Sequence, residues 1–173
     1  MTFEIRPARP EEYAAVGRLT ADGYSADGLL TRPDGSDDDY GARLTDAASR
    51  ADGGGLLVAI DRGVLLGTVT WCAPGSPLRE LSTRDDQGEF RMLSVAPEAR
   101  RRGVARALVE HCLGLARDGQ LREVLLCSMD VMTKAHALYT SLGFRRAPEL
   151  DWKPVPSVQL LAFRLELGGV ASH

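Results

Sequence analysis

One stretch near the middle of the sequence holds most of the residues that could do chemistry. An apolar and β-branched run, Glu89–Val95, stops before Pro97, which predicts a strand. Arg100–Arg102 and Gly103 follow, and apolar residues then recur at helical spacing from Val104. The sequence therefore predicts a strand, a short basic loop and a helix, in that order.

The junction between this loop and the helix has the properties of an anion-binding site. The first N–H groups of a helix have no partner within it, and the helix dipole makes that end positive. Gly103 lets the backbone approach a phosphate closely, and Ala105 adds only a small side chain. The residues alone leave a second interpretation open, in which an ordinary strand–turn–helix has a basic loop that is only solvated.

Two motifs together carry a family resemblance. The pattern Arg100-x-x-Gly103-x-Ala105 resembles the acyl-CoA pyrophosphate loop of the GNAT superfamily of N-acetyltransferases. A second stretch, residues 135–144, resembles the late helix of that family, which ends in a Tyr, an apolar turn and Gly-Phe. The motifs occur in the family's order, with a strand-like run between them. The resemblance covers residues 2 to about 167 and is weakest before residue 55.

The resemblance implies an α/β (α+β) fold. A mixed, mostly antiparallel sheet of six to seven strands would be flanked by about four helices and splayed at a cofactor cleft. Residues 1–167 would form a single N-acetyltransferase domain, and residues 168–173 would be a frayed tail.

Local patterns add expectations about individual elements. They predict a first helix from Pro10, a loop over residues 22–39 and a second helix over residues 38–50. The family resemblance implies that the acidic run Asp37–Asp39 borders the substrate entrance, and the alternative is a solvated helix N-terminus. Asp61–Gly63 predicts a hairpin turn, and residues 73–88 a long loop that is either functional or inert. Further on we expect a buried strand at residues 123–129, a helix at residues 133–141 capped by Gly143, and a rim loop over residues 148–156 that carries Trp152.

The implied reaction is transfer of the acetyl group of acetyl-CoA to a primary amine by direct attack, without a metal. Backbone groups of the central strand would pair with the pantetheine arm, and loop amides would hold the pyrophosphate. The resemblance implies cofactor binding by Leu93, Ser94, Val95, Arg100, Arg101, Arg102, Gly103, Val104 and Ala105.

Two side chains are implied in catalysis. Tyr139 matches the family's usual general acid, which protonates the departing thiolate, and the alternative is that it only packs its helix. Glu89 matches the position of a catalytic Glu in the histone-type branch, where it could relay the amine's proton through water. An exposed strand-end carboxylate is the competing interpretation, with water as the base. His136, one turn before Tyr139, is more often a packing residue, and Met132 replaces an Asn that many members have.

Composition excludes several other classes of function. The 173 residues carry a net charge of −3, which disfavours a nucleic-acid surface built on Arg100–Arg102. The three cysteines form no Cys-x-x-Cys pair and have no His at ligand spacing, which argues against zinc and indicates a reducing, cytoplasmic compartment. No apolar run is long enough to span a bilayer, and the first residues do not resemble a signal peptide.

The acceptor is left open at this stage. It is a small-molecule amine or a protein amine, and the enzyme is expected to be a monomer or a homodimer without nucleic-acid or membrane partners. The alternative from another functional class is an acyl-CoA-binding regulatory module that performs no turnover.

Overall fold

The structure is a computed structural model that describes residues 2–26, 44–51 and 55–168. The chain divides into two compact units. The first comprises Met1–Trp71 and Met92–Cys112, and the second Cys72–Arg91 and Leu113–His173. The prediction that residues 1–167 form a single domain stays a prediction. The predicted tail over residues 169–173 and the acidic run Asp37–Asp39 lie outside the described residues.

The first unit contains an antiparallel set of strands and the helices that cover them. The elements of the first unit are β1 (Glu4–Pro7), a 3-10 turn at Pro10–Glu12, α1 (Tyr13–Ala26), α2 (Ala47–Ala51), β2 (Leu56–Asp61), β3 (Val64–Cys72), the last part of β4 (Gln87–Val95) and the start of α3 (Val104–Asp118). A β-bulge between Ala59 and Ile60 shifts the register in which β2 pairs with β3.

The second unit is built around a long antiparallel pair of strands. Its elements are the first part of β4, the end of α3, β5 (Glu123–Met129), α4 (Thr133–Ser141), β6 (Arg145–Arg146), β7 (Trp152–Val155) and β8 (Val158–Glu166). β5 and β8 pair antiparallel along the whole length of β5, and β6 and β7 both add to β8.

The sheet has eight strands in the order β1-β2-β3-β4-β5-β8-β6, with β7 beside β8. The β4–β5 pair is parallel, whereas β1–β2, β2–β3 and β5–β8 are antiparallel. The predicted fold class is therefore confirmed, and the sheet has one strand more than the upper number expected. β5 and α4 have the bounds that the sequence predicts, and Gly143 caps α4 with φ 100°.

Each unit has its own apolar core. In the first unit, side chains from α1 and α2 meet those of β2, with Val16 and Val58 both fully buried. In the second, Leu81 from the loop before β4 packs against Leu125 of β5 and Ala162 of β8. This packing explains why the β2 and β5 segments read as continuous apolar runs.

Two predictions about loops are wrong. α1 continues through residues 22–26, where a loop was expected. Gly23 lies within this helix and packs so closely against Ser94 that a larger residue would require the Ser94 side chain to move. Glycine at this position is selected by packing and does not break the helix. The expected rim loop contains strand β7, in which Pro154 is tolerated because proline is compatible with sheet edges.

Candidate active site

The central strand β4 is interrupted at Met92. This residue has φ 56°, in the left-handed region that side chains other than Gly rarely adopt, and only 7% of it is exposed. Its side chain packs with Tyr24 and Leu44, so the surrounding core holds the conformation in place. Strain of this kind is concentrated at functional sites, where it redirects neighbouring groups. The sequence contains no signal for it, since methionine does not favour positive φ.

The parallel pairing between β4 and β5 is short. Its register covers Gln87–Glu89 against Glu123–Leu125, whereas β5 continues to pair with β8 as far as Met129. Among the described residues of the second unit, the β4–β5 ladder thus ends while both strands continue. The end of the ladder is where the splay expected from the resemblance would begin.

The strand residues predicted to bind the cofactor lie after Met92. Ser94 is buried, and its hydroxyl approaches the Leu19 carbonyl of α1 at 3.5 Å. Leu93 and Val95 are half-buried, so they alternate with Ser94 across the strand. The end of the strand is anchored by Ala96, whose N–H donates to the Leu66 carbonyl at 2.8 Å.

The loop before α3 has an unusual backbone. Arg101 has φ 67° and Gly103 has φ 78°, so two residues of a three-residue span are left-handed. Turns that mix left- and right-handed residues point successive N–H groups into an anion-binding concavity. A Cβ on Gly103 would meet no atom within 4 Å, so the space beside this backbone is open. The Gly103 carbonyl accepts the Ala107 N–H at 3.0 Å, which begins the helix.

The side chains of this loop have different environments. The Arg102 guanidinium donates to Asp61 Oδ2 at 3.0 Å, which fastens the loop to the end of β2. Arg100 and Arg101 are exposed, Ala105 is half-buried, and Val104 is buried with 2% of its surface accessible. Arg102 therefore shapes the loop through Asp61, while the backbone supplies donors at the helix start.

Tyr139 lies in an aromatic cluster in the second unit. Its ring centroid is 5.9 Å from Phe90, 6.0 Å from Phe144 and 5.9 Å from Phe163, and only 4% of the residue is exposed. Burial raises the pKa of the phenol, and the charge of a Cys127 thiolate would raise it further. Such a phenol keeps its proton at neutral pH, so it can act as a proton donor but not as a base.

Glu89 is completely buried, and its carboxylate accepts hydrogen bonds from backbone amides. Oε1 accepts from Glu80, Leu81 and Ser82 at 3.1, 2.9 and 3.0 Å, and Oε2 accepts from Glu80 at 3.0 Å. The interpretation of Glu89 as an exposed strand-end residue is therefore wrong. The carboxylate fastens the preceding loop to β4.

His136 occupies a packed position. Its Nε2 lies 3.2 Å from Ser128 Oγ, its ring centroid is 5.1 Å from that of Phe163, and a backbone hydrogen bond links it to Met129. Burial lowers the pKa of the imidazole, so the neutral form dominates at neutral pH. The Met132 thioether lies 3.6 Å from Ser128 Oγ. These contacts agree with a packing role for His136.

Neither metal-binding nor membrane-spanning features are present in the part of the chain that the structure describes. No group of three or more His, Cys, Asp or Glu side chains there could hold a metal ion. Cys72, Cys112 and Cys127 form no disulfide. No helix within residues 2–26, 44–51 and 55–168 is both long and apolar enough to cross a membrane.

Sequence comparison relates this chain to known acetyltransferases. Residues 21–144 match the acetyltransferase (GNAT) family. Mycothiol acetyltransferase from Cellulomonas flavigena is 35% identical over 124 residues, which are 66% of this chain and 36% of that protein. Human N-acetyltransferase 8 is 37% identical over 70 residues, 40% of this chain and 31% of that protein. The chain thus spans about a third of the length of these relatives.

Structural comparison shows the same fold in solved proteins. Ribosomal-protein-alanine N-acetyltransferase from Brucella melitensis has a TM-score of 0.69 at 21% identity, over 95% of this chain and 99% of that one. The yncA protein from Salmonella typhimurium, solved with its cofactor acetyl-CoA, has a TM-score of 0.68 at 20% identity, over 100% and 98%. At these identities the likeness concerns the fold alone.

Proposed function

This chain belongs to the acetyltransferase (GNAT) family, and we propose that it transfers the acetyl group of acetyl-CoA to a primary amine. The observation that carries the proposal is the loop before α3, where Arg101 and Gly103 are both left-handed beside an open space at a helix start. This backbone suits the pyrophosphate of a coenzyme A ester. This cosubstrate supplies an activated thioester, and the attack of an amine on that thioester requires no metal.

The proposed cofactor contacts follow the strand and the loop. Leu93, Ser94 and Val95 would offer backbone groups to the pantetheine arm, and the amides of Arg102 to Ala105 would face the pyrophosphate. Arg100 and Arg101 are exposed and would add positive charge at the phosphates. The ion pair of Arg102 with Asp61 supports this assignment, since it holds the loop in one conformation before the cosubstrate binds.

Tyr139 is proposed as the general acid. In the reaction the amine nitrogen forms a bond to the acetyl carbon, the carbon–sulfur bond breaks, and the thiolate takes up a proton. The raised pKa keeps the Tyr139 hydroxyl protonated at neutral pH, so it can donate a hydrogen bond to the departing thiolate. The packed aromatic cluster around it supports a fixed ring orientation.

A general-base role for Glu89 stays a prediction. Its carboxylate is inaccessible and already accepts hydrogen bonds from three backbone amides, so any proton would have to arrive through a water relay. The proposed reaction does not depend on this role, because solvent water can accept the proton of the amine.

The proposal is tested with the purified chain, acetyl-CoA and a panel of acceptors. The panel contains spermidine, L-aspartate and a tripeptide that begins with alanine, and free thiol is measured over time. Amine-dependent thiol release with a matching acetylated product is expected for at least one acceptor. Binding of acetyl-CoA without thiol release would instead support the alternative, a regulatory acyl-CoA-binding module.

We also propose a reducing, cytoplasmic compartment and a monomer or homodimer without nucleic-acid partners. That Cys72, Cys112 and Cys127 form no disulfide supports the compartment, because cysteines in oxidising compartments tend to form disulfides. The net charge of −3 supports the absence of a nucleic-acid partner. Size-exclusion chromatography with light scattering measures the oligomeric state.

A further inference from the structure

Three side chains on one face of β4 fasten the loop that precedes it. Gln87, Glu89 and Arg91 alternate along the strand, so all three lie on the same side. Gln87 Oε1 accepts two backbone N–H groups, Glu89 accepts three, and Arg91 donates to one carbonyl. The backbone groups held in this way belong to Leu78, Glu80, Leu81, Ser82, Thr83 and Arg84.

The loop held by these three side chains carries Glu80, whose carboxylate is partly accessible to solvent. Glu80 Oε1 lies 2.9 Å from Arg91 Nε and 3.9 Å from the Cys127 sulfur. The Glu80 side chain is 22% exposed, whereas Glu89 is not exposed at all. An ammonium group arriving from solvent can therefore reach Glu80 but not Glu89. A carboxylate has about four acceptor positions, so a further donor can join those already present.

The surroundings of Glu80 favour a cation. At the Cys127 thiol, which lies next to Glu80, the negative charges of Glu80 and Glu89 act together with the positive charge of Arg91. Burial raises the pKa of the Cys127 thiol to about 12, and the charges of Glu80 and Glu89 contribute to the same shift. Trp152 and Cys127 pack against the same apolar cluster, and the Trp152 side chain interacts with the Cys127 thiol.

We propose that Glu80 contacts the ammonium group of the acceptor, and that Gln87, Glu89 and Arg91 are positioning residues that act through the loop. This inference rests on the proposed acetyl transfer and names its acceptor class as a cationic primary amine. The ammonium loses one proton to solvent water before the nitrogen attacks. The attacking nitrogen loses a second proton, and the thiolate takes up one, so the overall reaction releases one proton.

The first experiment measures spermidine binding by calorimetry. Glu80→Gln retains size and hydrogen bonding but removes the charge, and we expect the Kd for spermidine to rise about 10-fold or more, as for a lost charge-assisted hydrogen bond. Glu166→Gln is the matched control, because Glu166 forms an exposed pair with Arg145 in the same unit. An equal loss of spermidine affinity in both variants would overturn the proposal. So would the absence of spermidine binding by the wild type at millimolar concentration.

The second experiment measures turnover. Glu80→Gln should raise the KM for spermidine about 10-fold or more while kcat and the Kd of acetyl-CoA stay unchanged, and Glu80→Asp should recover part of the loss. A wild type that acetylates L-aspartate but not spermidine, or a Glu80→Gln variant with unaltered KM, would refute the assignment of Glu80. Absence of thiol release with every amine would count against the proposed acetyl transfer itself, and calorimetry would still decide whether Glu80 binds the cation.

The positioning role of Glu89 is separated from a base role by the pH dependence of the rate. In Glu89→Gln, the new amide group would face backbone N–H donors, so we expect a lower Tm and a higher KM for spermidine. The midpoint of the pH–rate profile should not move. A shifted midpoint with normal KM and Tm would show that Glu89 takes the proton itself. If Glu89→Gln does not fold, Glu89→Asp provides the second test, because it retains the negative charge but its shorter side chain cannot reach all the amides of Glu80, Leu81 and Ser82. We expect a higher KM for spermidine with an unmoved midpoint, whereas a lower kcat with normal KM would show that Glu89 takes the proton itself.

Discussion

A Cβ atom on Gly17 would lie 2.2 Å from the carbonyl oxygen of Thr45. Gly17 is in the middle of α1, and the oxygen belongs to backbone, so it cannot rotate away. The helix therefore carries glycine because another segment approaches it closely. A Cβ atom on Gly23, which lies later in α1, would also come too close to Ser94 Oγ. That oxygen, however, belongs to a side chain that can change rotamer.

These glycines give a graded prediction for stability. Gly17→Ala should destabilise the protein by about 1–3 kcal/mol, because overpacking outweighs the helix propensity of Ala. Gly23→Ala should cost less, since Ser94 can rotate. Gly114→Ala is the control in α3, where a Cβ meets nothing within 4 Å, and it should stabilise by about 0.5–1 kcal/mol. Urea unfolding measures the three values, and equal stability of Gly17→Ala and Gly114→Ala would contradict the packing argument.

Gly103→Glu should abolish acetyl-CoA binding. The change introduces a side chain at φ 78° and places negative charge where the pyrophosphate is proposed to lie. Gly63→Glu is the matched control, because Gly63 has φ 80° and equally open surroundings in the β2–β3 turn. Both variants should lose similar stability, whereas calorimetry should show lost acetyl-CoA affinity only at Gly103. Unchanged affinity in Gly103→Glu would refute the pyrophosphate site.

Tyr139→Phe should reduce kcat about 10- to 10³-fold, which corresponds to roughly 1.4–4 kcal/mol of barrier. The Kd of acetyl-CoA and the Tm should stay near wild type, because the ring and its contacts with Phe90, Phe144 and Phe163 are retained. Tyr13→Phe, in the half-buried first turn of α1, controls for loss of a hydroxyl elsewhere. A raised KM with normal kcat would mean that Tyr139 contributes only to binding.

The ion pair of Arg6 and Glu12 predicts a specific pH dependence of stability. Arg6 donates to both carboxylate oxygens at 2.8 Å, which lowers the pKa of Glu12 to about 2 from 4.5. A depressed pKa means that this stabilisation is complete above about pH 4.5 and is lost as the pH falls through 2.

Glu12→Gln should therefore lower the free energy of unfolding by about 1 kcal/mol at pH 7, a value reduced by solvent screening of this partly exposed pair. The difference from wild type should shrink between pH 5 and pH 2. Glu4→Gln, at a carboxylate that is 66% exposed, should show a much smaller effect at every pH. Thermal unfolding across this range measures both, and a difference that grows on acidification would contradict the predicted sign.

Elements such as α3 and β5, and the loop before α3, could be predicted because their signals in the sequence are local. Apolar spacing of 3.6 residues identifies α3, and a continuous apolar run identifies β5. Gly63, Gly103 and Gly143 lie where positive φ is required, and all three have it. Short-range sterics and periodicity dictate these features, so neighbouring residues in the sequence are sufficient to reveal them.

The arrangement of the carboxylates could not be predicted, because it depends on contacts between residues distant in sequence or on a balance of strain. Whether Glu89 is exposed or buried depends on the path of the preceding loop. The left-handed Met92 is maintained by packing with Tyr24 and Leu44, far away in the chain. The sequence by itself determined elements such as β5 and α4 and the left-handed glycine in the loop before α3. Only the tertiary structure decided that Glu89 is enclosed and Glu80 accessible, because the loop before β4 must fold back for its amides to converge on the desolvated Glu89 carboxylate.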